Sequence, residues 1–312
     1  MISFGPIPSR RLGKSLGINN IPSAKVCSYS CIYCQVGTTM KYETACREFY
    51  NPETIFTEVS KHLMTLQKND KPDYLTFVSN GEPTLDINLG KSIEKLKEIG
   101  IPMAVITNGS MLSVQQVRDN LNLADWVSLK VDTYDENIWK TINRPISNLG
   151  FYKLMNGYFR FASDFRGKLV TETMLVEGVN DSPVNIHKTA KLIKELNPHT
   201  AYISIPTRPP ALETAKVPDE TTITQAFQIF NEQNIHTELL LGFEGINTGF
   251  TGNAIEDIVN ICTVHPLRED TMMELLRKDK ADYQILDTLI EKKLLRKIRY
   301  KSQEFYIRQF HN

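Results

Sequence analysis

From about residue 14 to residue 241 the chain alternates short apolar runs with longer stretches in which apolar residues recur every three or four positions. Tyr74–Val78, Met103–Thr107, Trp126–Val131, Leu169–Val176, Tyr202–Ile205 and Glu238–Leu241 are brief and aliphatic, often β-branched, and end beside Gly, Asn, Asp or Pro. That signature predicts buried strands. Between them Pro52–Leu66, Leu89–Glu98, Ser113–Leu121, Ile186–Glu195 and Thr222–Gln233 carry helical spacing, and Asn51-Pro52 and Ser182-Pro183 supply cap-then-proline starts. Such repetition predicts an α/β fold, a parallel sheet covered by helices and either open or closed into a barrel. In both forms ligands sit beyond the C-terminal ends of the strands, so those loops are where chemistry is sought.

The pattern breaks at 242–254, where Gly242–Asn253 is rich in Gly, Thr and Asn and reads as a linker between a core, 1–241, and a tail, 255–312. Within the tail Ile255–Thr263, Glu269–Leu276 and Asp282–Lys292 predict helices. Leu295–Tyr300 and Phe305–Phe310 predict two strands around the polar turn Lys301–Glu304. Three helices followed by a hairpin predict the winged form of the helix-turn-helix.

Charge and composition narrow the classes. The 36 basic and 36 acidic residues cancel, so attraction to nucleic acid or a membrane has to be local. No apolar run approaches the roughly 20 residues needed to cross a bilayer. The opening residues lack the basic and apolar regions of a signal peptide. Five cysteines, an odd number with three crowded together, argue for a reducing, cytoplasmic setting and a metal site over a disulfide framework.

The crowded three are Cys27, Cys31 and Cys34 in Cys27-Ser-Tyr-Ser-Cys31-Ile-Tyr-Cys34. A structural zinc site normally takes four protein ligands, often as two separated pairs, and a second pair is missing; a Cys₃His site remains open. A [4Fe–4S] cluster also usually takes four thiolates, so three leave one iron free for a small-molecule ligand. CxxxCxxC with an aromatic, here Tyr33, just before its third cysteine resembles the signature of radical S-adenosylmethionine (radical SAM) enzymes. The resemblance implies a partial (β/α)₆ barrel, a [4Fe–4S] cluster on Cys27, Cys31 and Cys34, and S-adenosylmethionine (SAM) chelating the open iron. It also implies reductive cleavage of SAM to a 5′-deoxyadenosyl radical, and an electron donor such as flavodoxin or ferredoxin.

Further segments fit that resemblance. Val78-Ser79-Asn80-Gly81-Glu82-Pro83-Thr84 follows a predicted strand and resembles the family's GGEP segment, with Asn80 in place of the usual first glycine. The resemblance gives Gly81 and Glu82 the SAM ammonium group; without it the segment reads as an ordinary strand-to-helix turn. Asn108 ends the next strand. Alternation puts Ser128, Lys130 and Asp132 on one face of an otherwise apolar strand, a costly placement unless they are hydrogen-bonded or bind something. The family contacts the SAM ribose and carboxylate in this region, although Asp132 at the strand end also suits solvent. Val179 and Ile205 lie in later strand-end loops; the first resembles the segment that packs against adenine, the second the one whose backbone contacts the adenine edge.

Arg10 and Arg11 form a pair suited to a carboxylate, a phosphate or a solvated turn. With the motif around Ser15–Ile18 they resemble a subgroup related to the wyosine-building tRNA enzymes. Those enzymes need further cysteines, so the resemblance implies their cofactors and reaction class and stops short of wyosine. Cys46 reads as a free buried thiol and Cys262 as packing. Lys292–Lys301 holds six basic residues and no acid, which suits phosphate, while winged helices also dock peptides or pack structurally. The chain is therefore expected to be a radical SAM enzyme acting on a nucleic acid or a peptide. The rival is an iron–sulfur sensor regulating transcription through its winged helix.

Overall fold

The computed structural model describes residues 2–22 and 24–310. Met1, His311 and Asn312, which the reading above assigns to the ends of its two domains, and Ser23 in the core lie outside that range. Ten helices and thirteen strands occur among the described residues. Eight strands form one sheet: β1 (Ser3–Ser9), β2 (Gly13–Ile18), β5 (Tyr74–Phe77), β6 (Met103–Thr107), β7 (Trp126–Lys130), β8 (Lys168–Met174), β9 (Thr200–Ser204) and β10 (Thr237–Leu240), neighbours in that order. Only β1 runs antiparallel, on β2; every later pairing is parallel.

Each parallel crossover carries at least one helix: α1 (Pro52–Thr65), α2 (Leu89–Lys97), α3 (Gln115–Leu121), α4 (Glu136–Ile142) with α5 (Phe151–Asp164), α6 (Pro183–Leu196) and α7 (Glu220–Glu232). The sheet curls into an open half-barrel, the partial (β/α)₆ architecture. The proline starts behave as expected, since the Asn51 side chain accepts from Glu53 N and that of Ser182 from Asn185 N. Alternation sorts the strands. Leu75, Phe77, Val105, Val127, Leu129 and Ile203 face the helices in the main core. Thr76, Ile106, Lys130, Glu172 and Ser204 face inward and line a cavity.

Two features of the core escape pattern reading. β1 contains Pro6 and Pro8, which an edge strand tolerates because one side needs no ladder bond. Helices α4 and α5 lie where no element was expected; Phe151, Tyr158 and Phe161 make the buried stripe of α5 aromatic, a weak helix signal.

The remaining elements are local. β3 (Val26–Cys27) and β4 (Lys41–Tyr42) pair in parallel and pin the cysteine loop. The tail runs α8 (Ala254–Val264), β11 (Leu267–Arg268), α9 (Glu269–Asp279), α10 (Gln284–Glu291), β12 (Leu295–Tyr300) and β13 (Gln303–Arg308), with sheet order β11-β13-β12. Its last strand starts two residues earlier than expected, because Lys301 and Ser302 both adopt positive φ and close a two-residue hairpin. Phe4 and Ile7 of β1 join Ile258, Ile261, Leu275 and Tyr306 in one apolar cluster, so the tail packs on the barrel edge.

Candidate functional site

Cys27 ends β3, and Cys31 and Cys34 follow in a turn whose Cys34 N donates to Cys31 O at 3.1 Å. The loop is irregular and is held from two sides. Ser30 N and Ile32 N donate to Asn143 O and Ile142 O at 3.0 and 2.9 Å, and Val26 bridges to Gly81. Gly81 takes φ 139°, and a Cβ there would lie 1.7 Å from Val26 O. Only glycine permits that approach.

All three thiols line a cavity of about 330 Å³ on the concave side of the sheet. Each sulfur receives one side-chain N–H: from Asn108 Nδ2 to Cys27 at 3.5 Å, from Asn143 Nδ2 to Cys31 at 3.4 Å, and from Lys25 Nζ to Cys34 at 3.1 Å. Lys25 is 3% exposed and also donates to Gly37 O at 2.6 Å. Burial works against its ammonium, but the three neighbouring sulfurs hold its pKa above the ordinary value. Burial pushes the Cys27 thiol up to about 12 and that of Cys31 to about 11. Thiols this reluctant to ionise need a cationic partner to become thiolates, which a metal group provides.

Three sulfurs facing one cavity fit a cluster with an open corner. Cys46 donates to Thr84 O at 3.4 Å and is absent from the lining, and Cys262 is buried in the tail core. Among the described residues no three Cys, His, Asp or Glu side chains gather as ligands of one metal ion; the three thiols share the cavity wall without forming such a single-ion cage.

The cavity wall continues with Glu82, 1% exposed. Its Oε1 accepts from Thr84 Oγ1 and Thr107 Oγ1, both at 2.6 Å, and its Oε2 from Asn108 N at 2.8 Å. Burial still raises its pKa, against these bonds. Deeper in the half-barrel Glu172 accepts from Lys130 Nζ at 3.3 Å, from Ser204 Oγ at 2.9 Å, and from Arg11. Burial opposes its ionisation, yet Lys130 and Arg11 hold it well below the usual carboxylate range.

Of the residues expected to contact SAM, Tyr33, Gly81, Glu82, Asn108 and Ile205 line the cavity. Asn80, Ser128, Asp132 and Val179 do not. Asn80 is buried beneath the cysteine loop, its backbone O accepting from Val26 N and its N donating to Asn19 Oδ1. The Ser128 hydroxyl is fully buried and unpartnered. Asp132 is occupied within the protein, accepting from Tyr33 OH, from Asn143 Nδ2 at 2.7 Å and from Met174 N at 2.9 Å. Val179 packs in a small apolar cluster beside Tyr33 and Met174. Lys25, Asn143, Glu172, Gln35 and Glu244 carry no role in the sequence reading, and Arg208 enters it only as part of the loop after the sixth strand. Only Glu172 had a local signal, a carboxylate on the inner face of an apolar strand, read by the same alternation that exposed Lys130.

The profile of the Radical SAM superfamily matches residues 21–190, more than half of the chain. A UPF0026 protein of Methanocaldococcus jannaschii is 45% identical, covering 98% of this chain and 96% of its own. A longer chain of Brachyspira hyodysenteriae named GTPase Obg is 34% identical over 88% of this chain and 42% of its own. Among solved structures, that of TYW1 with a lysine-pyruvate adduct bound superimposes with a TM-score of 0.56 at 16% identity, covering 71% of this chain and 75% of that one. It speaks to the fold.

Proposed function

The chain belongs to the radical SAM superfamily, and from that premise we propose that it is an enzyme whose concave cavity holds a [4Fe–4S] cluster, SAM and a substrate together. A bound [4Fe–4S] cluster would supply the low-potential electron for reductive cleavage of SAM. The protein's part is to hold and shield. Cys27, Cys31 and Cys34 would hold the cluster. Lys25, Asn108 and Asn143 each give an N–H to one sulfur, favouring its thiolate form and fixing its direction.

Glu82, a carboxyl group on the wall, suits the SAM ammonium, and Gly81 brings backbone close to it. Tyr33 and Ile205 supply the apolar surface, and Lys130 lies 4.9 Å from the Tyr33 ring centroid. Asp132 acts as a positioning residue, orienting Tyr33 and Asn143 from behind. The α8–β13 tail follows the helix-strand-helix-helix-hairpin order of a winged helix. It turns Arg296, Arg299 and Lys301 outward, a basic edge suited to a phosphate-bearing substrate. Its tie to the barrel, with Tyr300 OH donating to Pro206 O at 2.9 Å, supports a role in substrate docking at the cavity rather than a separate regulatory head.

One observation carries this reading: three thiols with no fourth and the Glu82 carboxylate all open onto the same cavity. The test is anaerobic reconstitution with iron and sulfide, reduction with dithionite and addition of SAM. Formation of 5′-deoxyadenosine is expected. An intact reduced cluster that leaves SAM uncleaved overturns the proposal and restores the sensor.

A further inference from the structure

We propose that Arg10 and Arg208 form an oxyanion subsite at the tail end of the cavity, seating a phosphate or carboxylate of the substrate; its role as a substrate site rests on the function proposed above. Arg10 comes from the tip of the β1–β2 hairpin, and Arg208 from the loop after β9. They meet over Glu244 of the linker, Arg10 Nη2 donating to Oε1 at 3.1 Å and Arg208 Nη2 to Oε2 at 2.6 Å. One carboxylate between two guanidiniums leaves a positive charge over. His265 lines the same space and adds none at neutral pH, since burial and the Arg208 charge push its pKa down to about 3.

Two observations point to a ligand there. Arg10 Nη1 is buried without a hydrogen-bond partner, and a buried guanidinium N–H that lacks an acceptor is costly unless something arrives to take it. Arg208 and Glu244 also sit where two cavities meet, with Arg10 on the wall of the first. A second cavity, about 200 Å³, shares Ile7, Pro8, Thr207, Arg208, Glu244 and His265 with the first.

That second cavity runs between barrel and tail. It is lined by Lys301, Tyr300 and Arg268, whose guanidinium lies 3.9 Å from the Phe243 ring centroid. A substrate reaching in from the wing toward the cysteines therefore passes the two arginines. Gln35, next to Cys34 in the chain, accepts from Arg208 Nη1 at 2.9 Å and ties the subsite to the cluster loop. Of the other basic groups on the first cavity, Arg11 and Lys130 are matched by Glu172 and Asp132, and Lys25 is turned to the Cys34 sulfur and Gly37 O. The charge left over lies at Arg10 and Arg208.

The test is calorimetric titration of the cluster-loaded full chain with inorganic phosphate and, separately, acetate, with and without saturating SAM. One saturable site is expected that persists with SAM, and the tighter ion identifies the substrate's group. Arg10→Gln should weaken binding about tenfold, as for the loss of a charged hydrogen bond. Glu244→Gln should tighten it, because the internal counter-charge is gone, and Arg10→Lys should fall between wild type and Arg10→Gln. A folding defect would weaken binding in every variant, so opposite signs separate the subsite from mere structural support.

Binding of neither ion, indifference to Arg10→Gln, or displacement of the ion by SAM overturns the proposal; the last outcome gives the pair to SAM's own carboxylate. Calorimetry does not require SAM cleavage. Wild type that binds the ion but yields no 5′-deoxyadenosine rejects the enzyme reading and keeps the anion site. One that yields 5′-deoxyadenosine while binding neither ion rejects the subsite alone.

Discussion

Cys27 in the barrel and Cys262 in the tail are 7% and 3% exposed, and burial raises both thiols to about 12. Only their surroundings differ. Cys27 faces a cavity with two further thiols, an asparagine N–H and a buried lysine nearby. Cys262 packs among Ile258, Ile261, Val264 and Leu267. The contrast extends to the regions around them. The concave face of the barrel buries Thr76, Ser79, Glu82, Thr107 and Ser204, whereas Asp257 and Thr271 are the buried polar residues of the described tail elements. Burying polar groups is costly unless they are partnered, so their concentration marks where chemistry is held. Burial of a thiol by itself marks nothing.

The largest effect should come from removing a thiol on the barrel side. Cys31→Ala should abolish the brown absorbance and reduce iron and sulfide to background, since two thiolates do not retain the cluster. Cys262→Ala should keep the iron content of wild type and lose about 1–2 kcal/mol in urea unfolding, the scale of a small core cavity. Equal iron loss in both variants would erase the distinction between the two sites.

Gly81→Ala comes next. The methyl group would overlap Val26 O and part the loop from the sheet, with a loss of more than about 2 kcal/mol and poor cluster retention. Wild-type melting and iron content would show that the bridge does not hold the loop.

Glu82→Gln keeps the shape and removes the charge. SAM affinity of the cluster-loaded protein should weaken by about 1.5–3 kcal/mol in calorimetry, and an unchanged value would point to a different carboxylate.

The smallest effect tests the tail. Burial raises the Asp257 carboxyl to about 7, while Thr251 N donates to it at 2.6 Å. An acid whose folded pKa lies above its unfolded value of about 4 is protonated more readily in the folded protein. Its contribution to stability is therefore present at low pH and lost as pH rises from about 4 to about 7. The Tm of Asp257→Asn should change less than that of wild type across this window, and parallel profiles would exclude Asp257 as the source.

Much of this was legible along the chain. Period-two and period-3.6 patterns located six core strands and five helices within a few residues, because alternation and helical spacing are properties of consecutive residues. The cysteine loop was legible for the same reason, its three thiols falling within eight positions. The aromatic stripe of α5 and the proline-bearing β1 were not, since each departs from the local preference of its element and is held by tertiary packing.

The sequence by itself determined the strand–helix repeat, the spacing of three thiols and the glycine that lets the loop approach the sheet. The tertiary structure alone decided which groups surround them. It placed Lys25, Asn108 and Asn143 on the three sulfurs and turned Asp132 away from the cavity to accept from Tyr33, Asn143 and Met174 N. It also brought Arg10, Arg208 and Glu244 together from positions far apart in the chain. Spacing along the backbone is a local quantity that a periodic pattern records. A contact across the half-barrel depends on strand order and on the curl of the whole sheet, which no short window contains.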